Sequence, residues 1–563
     1  MPDSGQLAIA AARGDEPVRA RNLILAPVLV LTLLPLLVSA GPLSEPPVAP
    51  AVDDGVSVRP ISLQVFPDVA VRPINPLSYG VNEGALESCP LRRHGGNRFT
   101  GFNWETSASN AGSDYLQHSD YYLAPEEEAR GPGELLARRL AADQQRGARS
   151  LVTLQLAGYV SADVAGTVEA GQTAPSERWH EVRLEPSPIR VGGPDLEDDR
   201  VYLDEQVRDL VRRFGRAEDG GVLAYALDNE PALWSHTHPR LHPEPASYAE
   251  VVEKGIAAAR LVTTEDPSAQ VFGPVLYGWA AFHDLQGAPD ARRHRLRHPT
   301  FVDHYLASLA EASEQSGRRL LHRLDIHWYP EAVGDERVVT GDTSPATVAA
   351  RVQAPRSLWD ADYRESSWIV DVIGEPVALI PRMKRSIDAH FPGTGLAITE
   401  YNFGAAGHIS GGLAQVDALG IFGRNDVVAC YWSLGGEQAW VDAAFRLYLD
   451  FDGQGGRFGE LSVHALSSDV EASTVHAARR DGDPRELTVV ALNKSFDTAL
   501  DADIALSVGS REIESVSAWR LAGERPEIVP VEGGVTVSGH SVRDQLPPAS
   551  ATLYVVRLSE LDV

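Results

Sequence analysis

The chain has 563 residues, 43% of them hydrophobic and 23% charged, a composition that supports one large domain and a smaller one around sizeable cores. Fifty Lys and Arg against 78 Asp and Glu give a formal net charge of −28 and a pI near 5.0. Phosphate backbones are bound by clustered cations, so nucleic acid is excluded as a partner.

The first predicted element is the apolar run LILAPVLVLTLLPLLV at residues 23–38, preceded by Arg13, Arg19 and Arg21 and followed by Val38-Ser39-Ala40. This is the anatomy of a signal peptide over residues 1–40, cut near Ala40, and it predicts a secreted protein. An uncleaved membrane anchor is the competing reading. The run is shorter than the roughly 20 residues of a bilayer span, and it contains Pro27 and Pro35. Residues 41–56 read as a Pro-rich linker. SVRPISLQVFP at 57–67 has β character, and residues 57–75 are expected to contribute a strand to a later sheet.

From 76 to 455, short apolar runs alternate with amphipathic segments of helical period. The runs are LSYGVN, LRRHGGN, SLVTLQLAG, VLAYALDNE, VFGPVLYG, RLDIHWYP, LAITEYNFG and VVACYWSLG. Between them lie helix-like stretches such as GELLARRLAADQQ, LDEQVRDLVRRFG, YAEVVEKGIAAARLV and FVDHYLASLAEAS. Eight strand–helix alternations predict an α/β fold, a TIM-like (β/α)8 barrel whose strand C-termini build the site. From 456 to 563 the runs are short, β-rich and separated by Gly, Pro and Asp, which predicts an appended antiparallel β-sandwich. Cys89 and Cys430 leave two readings open, a disulfide or two buried small hydrophobes.

Two of the runs end in glutamate. Glu230 follows the fourth strand in YALDNEPALW, and Glu400 follows the seventh in AITEYNFG. Strands four and seven face each other across a barrel, so the two carboxyls can flank one glycosidic bond, one donating a proton and the other attacking the anomeric carbon, about 5–5.5 Å apart in a retaining enzyme. Asn229 is expected to position a sugar hydroxyl, and Tyr401 to hydrogen-bond the nucleophile. Asn82-Glu83 at the end of the first strand is a second Asn-Glu pair, so the dipeptide by itself decides nothing. Trp104, Trp234, Trp328, Tyr329, Tyr401 and Trp432 fall at or beyond strand ends, where two or three rings are expected to stack on sugar faces. His236, His238 and His242 lie in a Pro-rich loop without HExxH spacing, which argues against a catalytic zinc. The acidic stretch GGPDLEDDRVYLDE at 192–205 offers Asp195, Glu197, Asp198 and Asp199, oxygen ligands suited to a structural calcium ion.

The block RRHGGNRFTGFNWETSASNAGSDYLQHSDYYL at 92–123, with YALDNEPALW and AITEYNFG, resembles glycoside hydrolase family 44 from about residue 60 to the C-terminus. The resemblance implies a retaining endo-β-1,4-glucanase, of the cellulase or xyloglucanase type, on a TIM-like barrel with a β-sandwich. It puts the general acid/base at Glu230 and the nucleophile at Glu400, and suggests a calcium site with Glu105, Asp195 and Asp198. Within that frame Arg93 and Asn97 are expected to hold the nucleophile, His327 and Tyr329 to line the −1 region, and Trp432 to form its stacking floor, with Trp104 and Trp234 as further substrate platforms. The expected partner is a β-1,4-linked polysaccharide, met by a monomer, with no membrane after signal cleavage and no cofactor for catalysis. His94, and the basic loop HDLQGAPDARRHRLRHPT, depart from the family pattern and are expected to alter subsite preference. The alternatives are a β-mannanase or mixed-linkage glucanase on the same framework, and a non-catalytic carbohydrate-binding protein.

Overall fold

The eight apolar runs fold as eight parallel strands because each is flanked by a helix that covers its outer face, leaving the inner face to pack against the other strands. The computed structural model describes residues 56–82, 86, 88–189 and 192–560; the run read as a signal peptide lies outside these. In chain order the barrel strands are Gly80–Val81, Leu91–His94, Arg149–Leu154, Ala224–Leu227, Gln270–Leu276, Arg323–Trp328, Gly395–Tyr401 and Val427–Tyr431, and they close on themselves in that order. The first is shorter than its apolar run, since Pro76–Tyr79 form a 3-10 turn led by Asn75, whose side chain accepts from Leu77 N. Leu91, Leu151, Ala224, Ala226, Phe272, Ala397, Val428 and Cys430 fill the lumen. Cys430 and Cys89 are both free and buried, two small hydrophobes rather than a bridge.

Helices Glu134–Gln145, Leu203–Phe214, Tyr248–Glu265, Phe301–Ser316, Leu379–His390 and Ala439–Leu449 pack outside the barrel where the three-four periodicity predicts them. Helix Ile409–Arg424 escapes that periodicity. It is buried on nearly every side, against the barrel and against the sandwich, so its sequence, ISGGLAQVDALGIFGR, has no polar face to reveal the period.

The sandwich is one hydrogen-bonded path of strands folded over a shared core that includes Leu63, Val65, Val489, Leu500, Ile504, Tyr554 and Val556. Strand Ser57–Phe66 lies inside it, antiparallel to Leu461–Ser467 and parallel to Thr498–Leu506. The sheet is therefore antiparallel with one parallel exception. Barrel and sandwich belong to one compact unit. At their interface His476 Nε2 lies 2.9 Å from Asp417 Oδ1, and Lys494 Nζ lies 2.8 Å from Asp417 Oδ2, all three nearly solvent-free. Gly420, one turn on from Asp417, must lack a side chain, because a Cβ there would come within 2.3 Å of the His476 ring.

Candidate active site

The fourth strand ends in two left-handed residues. Asp228 (φ 66°) and Glu230 (φ 48°) flank Asn229, a conformation that costs about 1–2 kcal/mol per L-residue and persists only where surroundings enforce it. Here they do. The Asp228 carboxylate accepts from Thr100 Oγ1 at 2.7 Å, from Ala157 N at 2.9 Å and from Leu156 N, while Glu230 N donates to Val275 O at 2.9 Å. Asp228 is fully buried and anchors the turn, which leaves Asn229 and Glu230 to face the mouth.

The seventh strand reaches the same place by a bulge. Its register with the sixth runs Asp325↔Ala397 and Ile326↔Ile398, then jumps to His327↔Glu400. Thr399 is thus an extra residue, and it joins Asp325 in the lumen, its hydroxyl lying 2.9 Å from both Asp325 carboxylate oxygens. Strict alternation would aim Glu400 at the helices; the bulge turns it to the mouth. One oxygen each from Glu230 and Glu400, together with a ring nitrogen of His327, lie within 4.8 Å of one another.

Donors converge on Glu400. Arg93 Nη1 donates to Oε1 at 2.7 Å and Tyr329 OH donates to Oε2 at 2.8 Å. Arg93, wholly buried, also donates to Asn82 Oδ1 at 2.9 Å and to Asn229 Oδ1 at 2.8 Å. One guanidinium therefore fixes side chains from the ends of strands one, four and seven, as its planar fork of donors permits. His327 Nδ1 lies 2.8 Å from Glu230 Oε1 and 3.5 Å from Glu400 Oε2.

The two carboxyls sit in different surroundings. Burial pushes Glu230 up to about 7, with Arg93 opposing and Asp114 adding to the rise; its side chain retains 18% exposure, an opening for substrate. Burial pushes the His327 imidazole down to about 3, so the ring is neutral beside the two acids. Burial and the two glutamates push the Tyr329 hydroxyl well up, which keeps it a donor. A carboxyl raised by burial facing one held by an arginine is the arrangement glycosidic cleavage needs.

A sequence profile of glycoside hydrolase family 44 matches residues 108–332. Endoglucanase A of Paenibacillus lautus is 42% identical over 495 residues, which are 86% of this chain and 71% of that protein. The chain belongs to glycoside hydrolase family 44. A family 44 xyloglucanase from Paenibacillus polymyxa superposes on it with a TM-score of 0.86 at 42% identity, covering 89% of this chain and all of that one. A structure of a family 44 xyloglucanase from the same organism with xyloglucan gives 0.85 at 41%, with the same coverage.

In this family 44 chain Glu230, Glu400, Arg93, Asn229, His327 and Tyr329 come together at the mouth. Trp432 follows the eighth strand half-buried, and an added Cβ on Gly96 (φ 89°) would meet its ring at 2.3 Å, so the glycine makes room for the indole. Four expectations need correction. Trp104 and Trp234 are 1% and 2% exposed, inside the main apolar core rather than in the cleft. The Tyr401 hydroxyl does not touch Glu400; the side chain is fully buried and its hydroxyl accepts from Gln415 Nε2 at 2.7 Å. Asn97 makes no side-chain hydrogen bond to Glu400, and Asn82 takes the place beside Arg93 instead. His94 points out of the barrel to Asp143 at 2.7 Å on helix Glu134–Gln145, away from any subsite.

The loop histidines are occupied elsewhere: His238 is buried against Thr237, and His242 lies 2.9 Å from Glu250. Glu105, Asp195 and Asp198 do share a neighbourhood. Burial, then Glu205, Asp198 and Asp195 in turn, push the Glu105 carboxyl up to about 8. Glu205 Oε1 accepts from Ser187 Oγ while its buried Oε2 has no hydrogen-bond partner.

Proposed function

We propose that this protein is an exported, retaining endo-β-1,4-glucanase that cleaves xyloglucan or cellulose-type backbones by double displacement. The proximity of the Glu230 and Glu400 oxygens, within 4.8 Å, carries the reading; it fits the roughly 5–5.5 Å of retaining enzymes and falls short of the roughly 6.5–9.5 Å of inverting ones. Glu400 attacks the anomeric carbon as the bond to the leaving oxygen breaks, and Glu230 gives that oxygen its proton. A glycosyl ester on Glu400 results. Glu230, now ionised, takes a proton from water, whose oxygen attacks the same carbon, releases Glu400 and restores the configuration. Arg93 and Tyr329 hold the nucleophile in one orientation, Asn229 offers its amide NH2 to a sugar hydroxyl, and Trp432 forms the stacking floor.

Reducing-end release from xyloglucan, carboxymethylcellulose, lichenan and mannan, with NMR of the first-formed anomer, tests the proposal. The expected result is cleavage of the glucans with the β anomer appearing first, a loss of about 10²–10⁴-fold in Glu230→Gln and no turnover in Glu400→Gln with oligosaccharide binding kept. A product appearing first as the α anomer, or wild type and Glu400→Gln binding alike with neither hydrolysing, would defeat it.

The acidic neighbourhood of Glu105, Asp195, Asp198 and Glu205 fits a structural calcium ion. Its donors are hard carboxylate oxygens, one of them buried and without a hydrogen-bond partner among the described residues, and burial together with three acids raises Glu105. Bound there, the ion would supply charge balance and a cross-link between loops, and no step of the reaction.

A further inference from the structure

The loop after the fifth barrel strand carries ARRHRLRH at 291–298, four arginines and two histidines without one acid, in a chain of net charge −28. Arg292, Arg293, Arg295 and Arg297 are exposed, and Leu296 between them is 91% exposed. Arg295 Nη1 lies 3.8 Å from Asp284 Oδ2. Among the described residues no carboxylate pairs with Arg292, Arg293 or Arg297. An acidic protein that gathers unpaired guanidiniums on one short segment forms a local positive field there.

The segment is firmly seated. Asp290 accepts from Tyr248 N at 2.8 Å and Ala249 N at 3.1 Å, capping helix Tyr248–Glu265. His294 stacks on Tyr248 at 5.4 Å and meets His304 at 4.3 Å, in the first turn of helix Phe301–Ser316. Both helices follow barrel strands, so their first turns lie at the end of the barrel where the cleft opens. The loop begins at Tyr277, directly after the C-terminal end of the fifth strand, Gln270–Leu276. The arginines therefore belong to the rim of the cleft.

We propose that this rim is an accessory subsite for carboxylated polysaccharide, taking uronate units carried on or beside a glucan chain that lies in the cleft; the inference rests on the glucanase reading above. Guanidinium forks pair with carboxylates, and the uronate charges, spaced a sugar apart, meet the rim without the dense phosphate array that the rest of this acidic surface repels. Leu296 supplies the apolar contact between them.

The test compares wild type with Arg292→Ala/Arg293→Ala/Arg297→Ala on carboxymethylcellulose and on neutral hydroxyethylcellulose, and measures retardation of both proteins in gels containing polygalacturonate, which has no glucan linkage to cut. At about 20 mM salt the triple variant is expected to show a KM about ten-fold higher on carboxymethylcellulose, with kcat and the neutral polymer unchanged, and to lose retardation by polygalacturonate. The wild-type advantage should vanish at about 500 mM salt. Equal retardation of the two proteins, no retardation of wild type, or an equal loss on both celluloses would overturn the proposal. Failure of wild type to cut either cellulose would strike the glucanase reading, and the polygalacturonate gel would still decide the rim.

Discussion

In its proposed role Glu230 donates only while it carries its proton, and burial has moved that proton's release to about 7. Since an acid is protonated below its pKa, kcat/KM should fall about ten-fold per unit as pH rises past about 7, the alkaline limb belonging to this group. A pH–rate profile on a soluble glucan checks it; a flat profile to pH 9 would remove Glu230 from the role. The glutamates were legible in the sequence because a strand that ends in polar residues leaves a recurring mark. Their supports were not. Asn82 looked like a decoy, since nothing in the chain says that Arg93, eleven residues later on the neighbouring strand, would bind its side chain. Tyr329 and Tyr401 stand at equivalent-looking strand ends, and only the bulge at Thr399 decides which hydroxyl meets Glu400.

At the scale of elements, loop length determined what could be read. The eight strands read as short apolar runs because they are buried on both faces, and most outer helices follow from periodicity, because each has one wet and one dry face. Trp104 misleads because residues 95–148 are long enough to fold into strands of their own, and Trp234 because the chain after the fourth strand folds back over it, with His242 5.1 Å and Lys254 5.3 Å from its ring. Helix Ile409–Arg424 left no amphipathic trace for the opposite reason: a helix covered on both sides buries Leu413, Val416, Leu419, Ile421 and Phe422 together, each worth about 1.5–3 kcal/mol. The acidic loop before helix Leu203–Phe214 belongs to this scale too. If calcium joins it to Glu105, a chelator should lower the melting temperature by several degrees, added calcium should restore it, and kcat at 25 °C should stay the same. A melting temperature indifferent to the chelator would argue that the carboxyls are protonated instead.

At the scale of the whole molecule, barrel and sandwich are joined through charge as well as apolar contact. Burial alone would raise the Asp417 carboxyl, yet Lys494 and His476 hold it below the usual carboxylate range. Such a carboxylate contributes stability above its unfolded pKa of about 4, and the contribution is lost as pH falls toward the folded value. Lys494→Met leaves Asp417 ionised in a dry interface and should cost about 3–5 kcal/mol in denaturant titrations at pH 7, whereas replacing both Lys494 and Asp417 by apolar residues should cost much less. Equal costs for the two variants would mean that the pair is incidental. Strand Ser57–Phe66 has a different consequence. It is translated some 400 residues before the strands on either side of it, Leu461–Ser467 and Thr498–Leu506, so during synthesis its edges wait open until the last hundred residues emerge. The sheet is sewn shut by the two ends of the polypeptide, which makes it a clasp around the barrel's sequence: an engineer who cuts after residue 455 removes one jaw and strands the other.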